Sequence, residues 1–438
     1  MHTIAFEDGG KQEETVSAFL MLVLEFGTEI GVFGVCGLLD RLLHVAMKTV
    51  RYCPLYKAQT IIASIVMGCA HTKAINETLG AEVAAANYLG MHRFPDQSQI
   101  NRYLSRFTAA NVGELGAVHA HVLRQESRAR RDRGLRVVDI DQCGLVADGQ
   151  TYEFHRKGYF PRKRGQQGYQ LSLAYLSAYE EVVALHLDPG NTPGRARLPD
   201  VVQAVDRLLG PEETTADIIW RLDAGYDGPE TRAQLRDRPG YVVLKAMSAT
   251  VAAREATACP LRDWVPVADT VQGMELPAVE GYRRLVYELH QGDGTVAYAL
   301  LYTTLPAVDW GIARLFTFYN ERTTIEAFFA QARHVHNIQN LRSRKFHAIA
   351  AFLAFVALTH NLLVWAKQAR LGHSPVATAT ARELVSYATR VRAHIHWDGQ
   401  WHLRILRSSQ WATLLIEALL PAPCPIQLAL PFARLHKT

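Results

Sequence analysis

Gly134-Leu135-Arg136-Val137-Val138-Asp139-Ile140-Asp141-Gln142-Cys143-Gly144 marks the point at which the chain changes from helix to strand. Leu135–Asp141 is a β-branched run between glycines, the pattern of a strand, and it ends on two carboxylates. Period-two alternation puts Asp139 and Asp141 on the same face. Upstream, residues 12–126 repeat apolar positions at three and four, which reads as helix. Downstream come strands at 169–176 and 181–187 with a turn near Ala178–Glu180, a helix at 199–209, a strand at 217–222, a helix near 228–236 and a strand at Tyr241–Lys245. Strands followed by alternating strands and helices predict an α/β fold, a mixed sheet with helices on its faces.

The rest of the chain divides by texture. Residues 250–305 hold short alternating runs, Arg283–His290 and Thr295–Thr303, that meet at Gly292-Asp293-Gly294; Asp-Gly between such runs is a hairpin signal, so a mostly β insertion is expected. From about 309 to 370 the pattern returns to helix, with Glu326 near its beginning. A second hairpin is expected at Val391–Trp397 and Trp401–Leu406, turning at Asp398-Gly399, with Trp397 and Trp401 as a packed cross-strand pair.

Composition narrows the class. With 438 residues, 49% hydrophobic and 20% charged, the chain has ample core material, which excludes disordered, collagen-like and disulfide-scaffold classes. At roughly 150 residues per domain, two or three domains are expected. The formal charge is only +5, so any polyanion partner must be met by local clusters. Six scattered cysteines, Cys36, Cys53, Cys69, Cys143, Cys259 and Cys424, form no C-x-x-C pair, which suits a reducing cytoplasm and speaks against a structural zinc. The opening residues include His2, Glu7 and Asp8 and lack a basic stretch, so no signal peptide is expected. Residues 16–38 carry Glu25 and Glu29, and residues 346–366 carry His347, Thr359, His360 and Asn361; both read as buried helix rather than membrane span. A soluble, cytoplasmic protein with no membrane partner is the expectation.

Three acidic positions stand where metal chemistry would want them. Besides the strand pair, Asp223 directly follows the strand Ile218–Leu222, and Glu326 lies on the later helix. Carboxylates at strand ends and on a docked helix can share hard cations, because Mg²⁺ prefers oxygen ligands. Singly, each has a blander explanation: an Asp at a strand end is usually a turn or cap residue, and a helical Glu beside Arg322 is usually half of a surface ion pair.

The spacing around Glu326 ties them together. Tyr319, Arg322, Glu326 and Arg333 follow Y-x2-R-x3-E-x6-R, and offsets of three, four and seven put all four on one helical stripe. This resembles the Y-x2-R-x3-E-x6-K signature of bacterial insertion-sequence transposases with a DDE active site. Arg221-Leu222-Asp223-Ala224-Gly225-Tyr226 is similar to that family's segment carrying the second catalytic Asp. Lys157-Gly158-Tyr159, Gly168-Tyr169-Gln170 and Pro189-Gly190-Asn191-Thr192 resemble blocks between the two Asp residues. Leu341-Arg342-Ser343-Arg344 and His360-Asn361-Leu362-Leu363 resemble the segment after the Glu, and Pro95 to Phe107 the N-terminal block; the likeness spans about residues 20–410.

The resemblance implies a ribonuclease H-like catalytic domain, made of residues 134–249 and 309–370, with the β-rich insertion at 250–308. It also implies an all-α N-terminal DNA-binding region over 1–133 and a C-terminal region over 371–438. The triad carried over is Asp141, Asp223 and Glu326, with Asp139 an alternative first Asp. Cys143 stands where the family has a small hydroxyl residue, and Arg333 where it has Lys. The three carboxylates would hold two Mg²⁺, with Mn²⁺ able to substitute, for cleavage of the element's ends and strand transfer to target DNA. Tyr319, Arg322 and Arg333 would contact phosphates beside the break.

Further cations extend the expected DNA surface. His155, Arg156, Lys157, Arg162, Lys163 and Arg164, interleaved with Tyr159 and Phe160, suit a DNA backbone and an unstacked base, and Arg342, Arg344 and Lys345 add to them. Arg102 and Arg106 on a helix capped by Asp96 or Ser98 could meet phosphates, although an ordinary amphipathic surface helix is the preferred reading. Synapsis of two ends implies a homodimer. Two other readings keep part of this picture: a metal-dependent nuclease without strand transfer, and a catalytically silent, transposase-derived DNA-binding protein.

Overall fold

The computed structural model describes residues 16–48, 51–132, 134–147, 149–158, 160, 165–210, 217–258, 263–397 and 400–420, and the backbone of 4–9. The strands among them are Ile4–Gly9 (β1), Val16–Ser17 (β2), Arg136–Val146 (β3), Arg156–Lys157 (β4), Gln167–Leu176 (β5), Glu181–Pro189 (β6) and Ile218–Leu222 (β7). They continue with Tyr241–Lys245 (β8), Val265–Ala268 (β9), Val271–Val279 (β10), Tyr282–His290 (β11), Val296–Thr303 (β12), Arg392–Trp397 (β13) and Trp401–Leu406 (β14).

One mixed sheet organises the centre, in the order β4-β5-β3-β7-β8-β12-β11-β10-β9, with β6 also paired to β5. The pairs β3–β7 and β7–β8 are parallel, and β5 runs antiparallel to both β3 and β6. The expected α/β fold with a mixed sheet is therefore present. The expected β-rich insertion does not stand apart from it: β12 pairs antiparallel with β8, so the insertion prolongs the same sheet. Its first part is a helix, Ala249–Thr257, which begins where Ser248 Oγ accepts from the Val251 N–H and packs its Ala252 and Ala256 side against β12.

Alternation along the parallel strands splits the core. Val138, Ile140, Trp220, Leu222, Val242 and Leu244 face the main core, which also holds the helix Leu198–Leu209. Ile219 and Val243 face the other way, toward Leu301, Leu315 and Phe318. Asp139, Asp141 and Arg221 alternate onto this second face, beneath the helices Ile312–Asn320 and Thr323–His334. A carboxylate on a buried face must find a partner or lose its charge, so this alternation sets the chemistry of the site.

The N-terminal part is helical, with one correction. β1 and β2 join the C-terminal hairpin in a second sheet, β1-β14-β13-β2, so the region before residue 133 is not all helix. The periodicity of residues 12–126 could not show this, because these short strands are completed by partners almost 400 residues away: Ile4 pairs with Trp401 and Ser17 with Arg392. In the hairpin, Trp397 and Trp401 are directly opposed with ring centroids 5.1 Å apart, the expected pair; its turn at Asp398-Gly399 lies outside the described residues.

Phe346–Leu371 is long and apolar enough to cross a membrane, with a mean hydropathy of 1.9 over its best window, yet 94% of that window is buried within the protein. It packs on β6 and on the helices Ala109–Glu126, Pro54–Val66 and Ala18–Glu29. The buried Glu25 of that last helix is met by Arg370 Nη2 at 3.3 Å, which accounts for an acid in an apolar run. His360 and Asn361 are equally engaged: Asn361 bonds both backbone groups of Val182, and His360 faces the Glu180 carbonyl.

Candidate active site

The register of β3 on β7 brings the first two acids together. The parallel pairing ends at Ile140 opposite Leu222, so Asp141 and Asp223 are each the next residue on neighbouring strands, which lie about 4.8 Å apart. The strand β3 does not end there, as its sequence suggested, but continues to Val146 along β5. Gly144, read as its boundary, is instead a contact point: a Cβ there would lie 2.5 Å from the Phe160 ring. Asp223 begins a short 3-10 turn, Ala224–Tyr226, but its side chain makes no capping bond, so the carboxylate is left for other partners. Tyr226, buried at the end of that turn, fixes its position against Gly194.

The third acid arrives on a broken helix. The stripe Tyr319–Arg333 was expected on one helix, but Ile312–Asn320 ends and Thr323–His334 begins across Glu321 and Arg322. Backbone bonds from Arg322 to Tyr319 and from Ile325 to Arg322 tighten the junction to three-residue spacing. The β-branched Thr323-Thr324 pair and the inward pull on Arg322 favour this tightening. The four side chains still face β3 and β7. Tyr319 is buried with its hydroxyl 3.5 Å from the Leu222 carbonyl, and Arg333 lies against Cys143.

Arg322 is the centre of the arrangement. Its Nη1 donates to Asp141 Oδ2 at 2.8 Å, and its Nη2 lies 3.0 Å from Glu326 Oε1 and 3.5 Å from Asp223 Oδ1. Three carboxylates from three separate segments thus share one guanidinium, leaving a surplus of two negative charges. The site opens to one side: side-chain exposure rises from 13% at Asp141 to 38% at Asp223 and 59% at Glu326.

Burial and charge pull against each other here. Desolvation raises the Asp141 carboxyl to about 6; Arg322 opposes this and Asp223 adds to it. Burial works against the charge of Arg322, but Asp141 and Asp223 outweigh it and hold its pKa above the ordinary value. Burial pushes the Cys143 thiol up to about 12 despite Arg333, so it is a neutral group beside the site.

Asp139 has a different environment from Asp141. It is fully buried and forked by Arg221, with Nε at 2.5 Å from Oδ1 and Nη2 at 2.8 Å from Oδ2, while Ser177 donates to Oδ2. Arg221 also donates to the Phe318 carbonyl and stacks on the Phe318 ring. Asp139 is therefore committed to tying β3, β7 and the Ile312–Asn320 helix together, and only Asp141 faces the other two acids. Sequence reading missed the role of Arg221, although its position two residues before Asp223 placed it on the same strand face as an available signal.

The remaining cations divide. Arg156, Lys157, Arg344 and Lys345 are exposed, whereas Arg162, Lys163 and Arg164 lie outside the described residues. Arg342 turns inward: Nη2 donates to the Cys69 carbonyl, the guanidinium covers the Phe352 ring at 4.6 Å, and burial lowers its pKa to about 10. Phe160, expected beside an unstacked base, is buried against Gly144 and Gly168 and belongs to the core. The blocks around it meet through glycines. A Cβ on Gly158 would lie 1.7 Å from the Gly190 carbonyl oxygen, and one on Gly168 would lie 2.1 Å from that of Leu145.

Comparisons with known proteins bear on this centre. Solved structures that are similar at low identity include three transposase complexes. A piggyBac transposase synaptic complex with hairpin DNA matches at 12% identity with a TM-score of 0.44, covering 86% of each chain. A pre-cleavage Mos1 transpososome matches at 15% identity and TM-score 0.17, over 45% of this chain and 60% of that one. A mariner Mos1 paired-end complex with Mg matches at 13% identity and TM-score 0.15, over 51% and 76%. No curated protein matches the sequence. The family model described as the transposase DDE domain matches residues 132–362, a span that contains Asp141, Asp223, Glu326 and every strand of the central sheet. With more than half of its length in that match, the chain belongs to the DDE-domain transposases.

Proposed function

We propose that this transposase cuts DNA at the ends of an insertion sequence and joins the freed ends to target DNA, with Asp141, Asp223 and Glu326 as its catalytic carboxylates. The observation that carries this reading is the convergence of those three acids on Arg322. The strand order β6-β5-β3-β7-β8, in which β5 alone runs against its neighbours, supports a ribonuclease H-like catalytic domain. On this reading residues 1–133 bind DNA, residues 250–308 extend the catalytic sheet, and two copies act together on paired ends.

The donors suit Mg²⁺, with Mn²⁺ as a substitute, because all three are hard oxygen ligands and together carry two negative charges beyond the one that Arg322 offsets. Among the described residues no group of acids, histidines or cysteines is arranged to hold an ion as it stands. Arg322 lies between the carboxylates, so an ion held by all three would take the place of its guanidinium. Bound there, metal ions would supply Lewis acidity and lower the pKa of a water. In the cleavage step a water oxygen bonds to phosphorus, the P–O3′ bond at the element's end breaks, and O3′ leaves as a hydroxyl. In the joining step that O3′ bonds to a target phosphorus and displaces the target's own O3′. The chain's part is to orient: Arg322, once released, and Arg333 offset phosphate charge beside the break, and Tyr319 holds the helix junction against β7. Arg156, Lys157, Arg344 and Lys345 meet the backbone further out, and DNA contact is proposed for Arg162, Lys163 and Arg164 on their charge alone.

Strand transfer separates this reading from that of a nuclease. Pre-cut element ends with free 3′-hydroxyls, incubated with a supercoiled target plasmid and Mg²⁺, are expected to appear covalently joined to the target. Nicked but unjoined plasmid would establish hydrolysis alone and overturn the strand-transfer part.

A further inference from the structure

A second site lies away from the carboxylates. The helix Pro54–Val66, the helix Gln97–Leu104 with the turn after it, and Lys345 enclose a cleft of about 1010 Å³. Its lining includes Lys48, Arg51, Lys57, Arg102, Arg106 and Lys345 and no Asp or Glu. All of these cations except Lys57 are exposed. Among the described residues none forms an ion pair with a carboxylate. Arg102 donates only to Ser98, and Lys345 Nζ donates to the Ser105 carbonyl at 3.1 Å.

Lys57 is the telling member. It is 2% exposed, and the hydrogen-bond partner of its ammonium is the Met47 thioether, 3.3 Å away. A thioether sulfur is a weak acceptor, so the cation is buried at the foot of a cationic cleft with little to offset its desolvation. A group placed at such a cost to stability fits a ligand that supplies the missing charge.

We propose that this cleft binds the phosphate backbone of duplex DNA, apart from the strand being cut. This rests on the reading of the chain as a DNA-cleaving transposase. The ligand is a polyanion, because six cations line the cleft with no carboxylate among its walls, Asp96 meeting Arg102 through the Ser98 hydroxyl, and the volume is well beyond what one free phosphate fills. It is backbone rather than unstacked base, because the aromatic side chains of the lining, Tyr52 and Phe107, are buried and offer no stacking platform. Lys345 connects the cleft to the site: it closes the segment that runs from the Glu326 helix to the helix Phe346–Leu371. A duplex held here would be anchored beside the element that carries the third acid.

The test uses the full chain in EDTA, with fluorescence anisotropy on a labelled duplex carrying an element end and on a scrambled duplex, across a salt series. Wild type is compared with Arg106→Glu, Lys57→Met and, as a charge control in the insertion, Arg254→Glu. The expected result is about a tenfold loss of affinity for Arg106→Glu on both duplexes, with the salt slope shallower by about 0.9 for each phosphate the variant no longer neutralises. Lys57→Met is expected to weaken binding while its thermal midpoint stays level or rises, an outcome a merely structural lysine would not give. Inorganic phosphate at matched ionic strength is expected not to displace the duplex. If wild type binds and cuts element ends while the cleft variants match Arg254→Glu in affinity and slope, the cleft proposal falls and the transposase reading stands. Displacement by free phosphate overturns it as a DNA site, and a wild type that binds neither duplex overturns both.

Discussion

Arg322 Nη1 donates to Asp141 Oδ2 at 2.8 Å, across 181 residues of sequence, in a pocket where Asp223 and Glu326 share the same guanidinium. One cation thus neutralises a third of the charge that three gathered carboxylates carry, and it lies between them.

Removing that cation should leave three mutually repelling acids. Arg322→Gln is expected to lose about 3–5 kcal/mol of stability in EDTA, the usual cost of breaking a buried pair from one side. Mg²⁺ should restore part of the loss, because it replaces the missing charge. Thermal midpoints with EDTA and with Mg²⁺ check this; a variant as stable as wild type in EDTA would contradict it.

The two strand aspartates should separate by phenotype. Asp139→Asn leaves the buried Arg221 without its carboxylate and is expected to cost about 3–5 kcal/mol in urea denaturation. Asp141→Asn, which removes an acid whose ionisation burial already opposes, should leave stability level or raised while abolishing strand cleavage.

Gly190→Ala tests the meeting of the glycine blocks. Its Cβ would lie 2.3 Å from the Arg156 carbonyl oxygen and 2.8 Å from that of Gly168, and neither backbone can give way without moving β4 or β5. A loss of about 1–3 kcal/mol, the usual range for overpacking, is expected by denaturation. Faster proteolysis of the segment around Arg156 should accompany it.

Acid should weaken the fold through three buried histidines. Burial lowers His119 and His360 to about 4 and His336 to about 3, below the ordinary value of 6.5. Their neutral forms are favoured in the folded chain, so the stability they carry is complete above pH 6.5. It is lost as pH falls toward 4, where only the unfolded chain takes up protons. Each contributes a slope of about 1.4 kcal/mol per pH unit in that window. Urea midpoints against pH should fall less steeply for His336→Leu than for wild type.

The sequence carried the central sheet because its strands announce themselves. Ile218–Leu222 and Tyr241–Lys245 are apolar apart from Arg221 and Lys245, as suits strands buried on both faces, and the hairpin at Asp293 has its turn chemistry written in. It carried the acids through spacing around Glu326 rather than through any single residue. What it could not show was long-range pairing: the partners of β1, the continuation of β8 into β12, and the Asp139–Arg221 fork are set by register between distant segments. The break at Glu321 and Arg322 was also hidden, because helical periodicity persists across a short three-residue turn.

The most direct measurement is strand cleavage of DNA carrying the element's ends in Mg²⁺ or Mn²⁺, by wild type, Asp141→Asn, Asp223→Ala and Glu326→Ala, with DNA binding followed in parallel. Nicking that depends on the metal and disappears in all three variants, with binding retained, is the expected result. Cleavage that survives loss of any one of these carboxylates, or wild-type binding without cleavage under either metal, would contradict the assignment of the three acids as the catalytic centre.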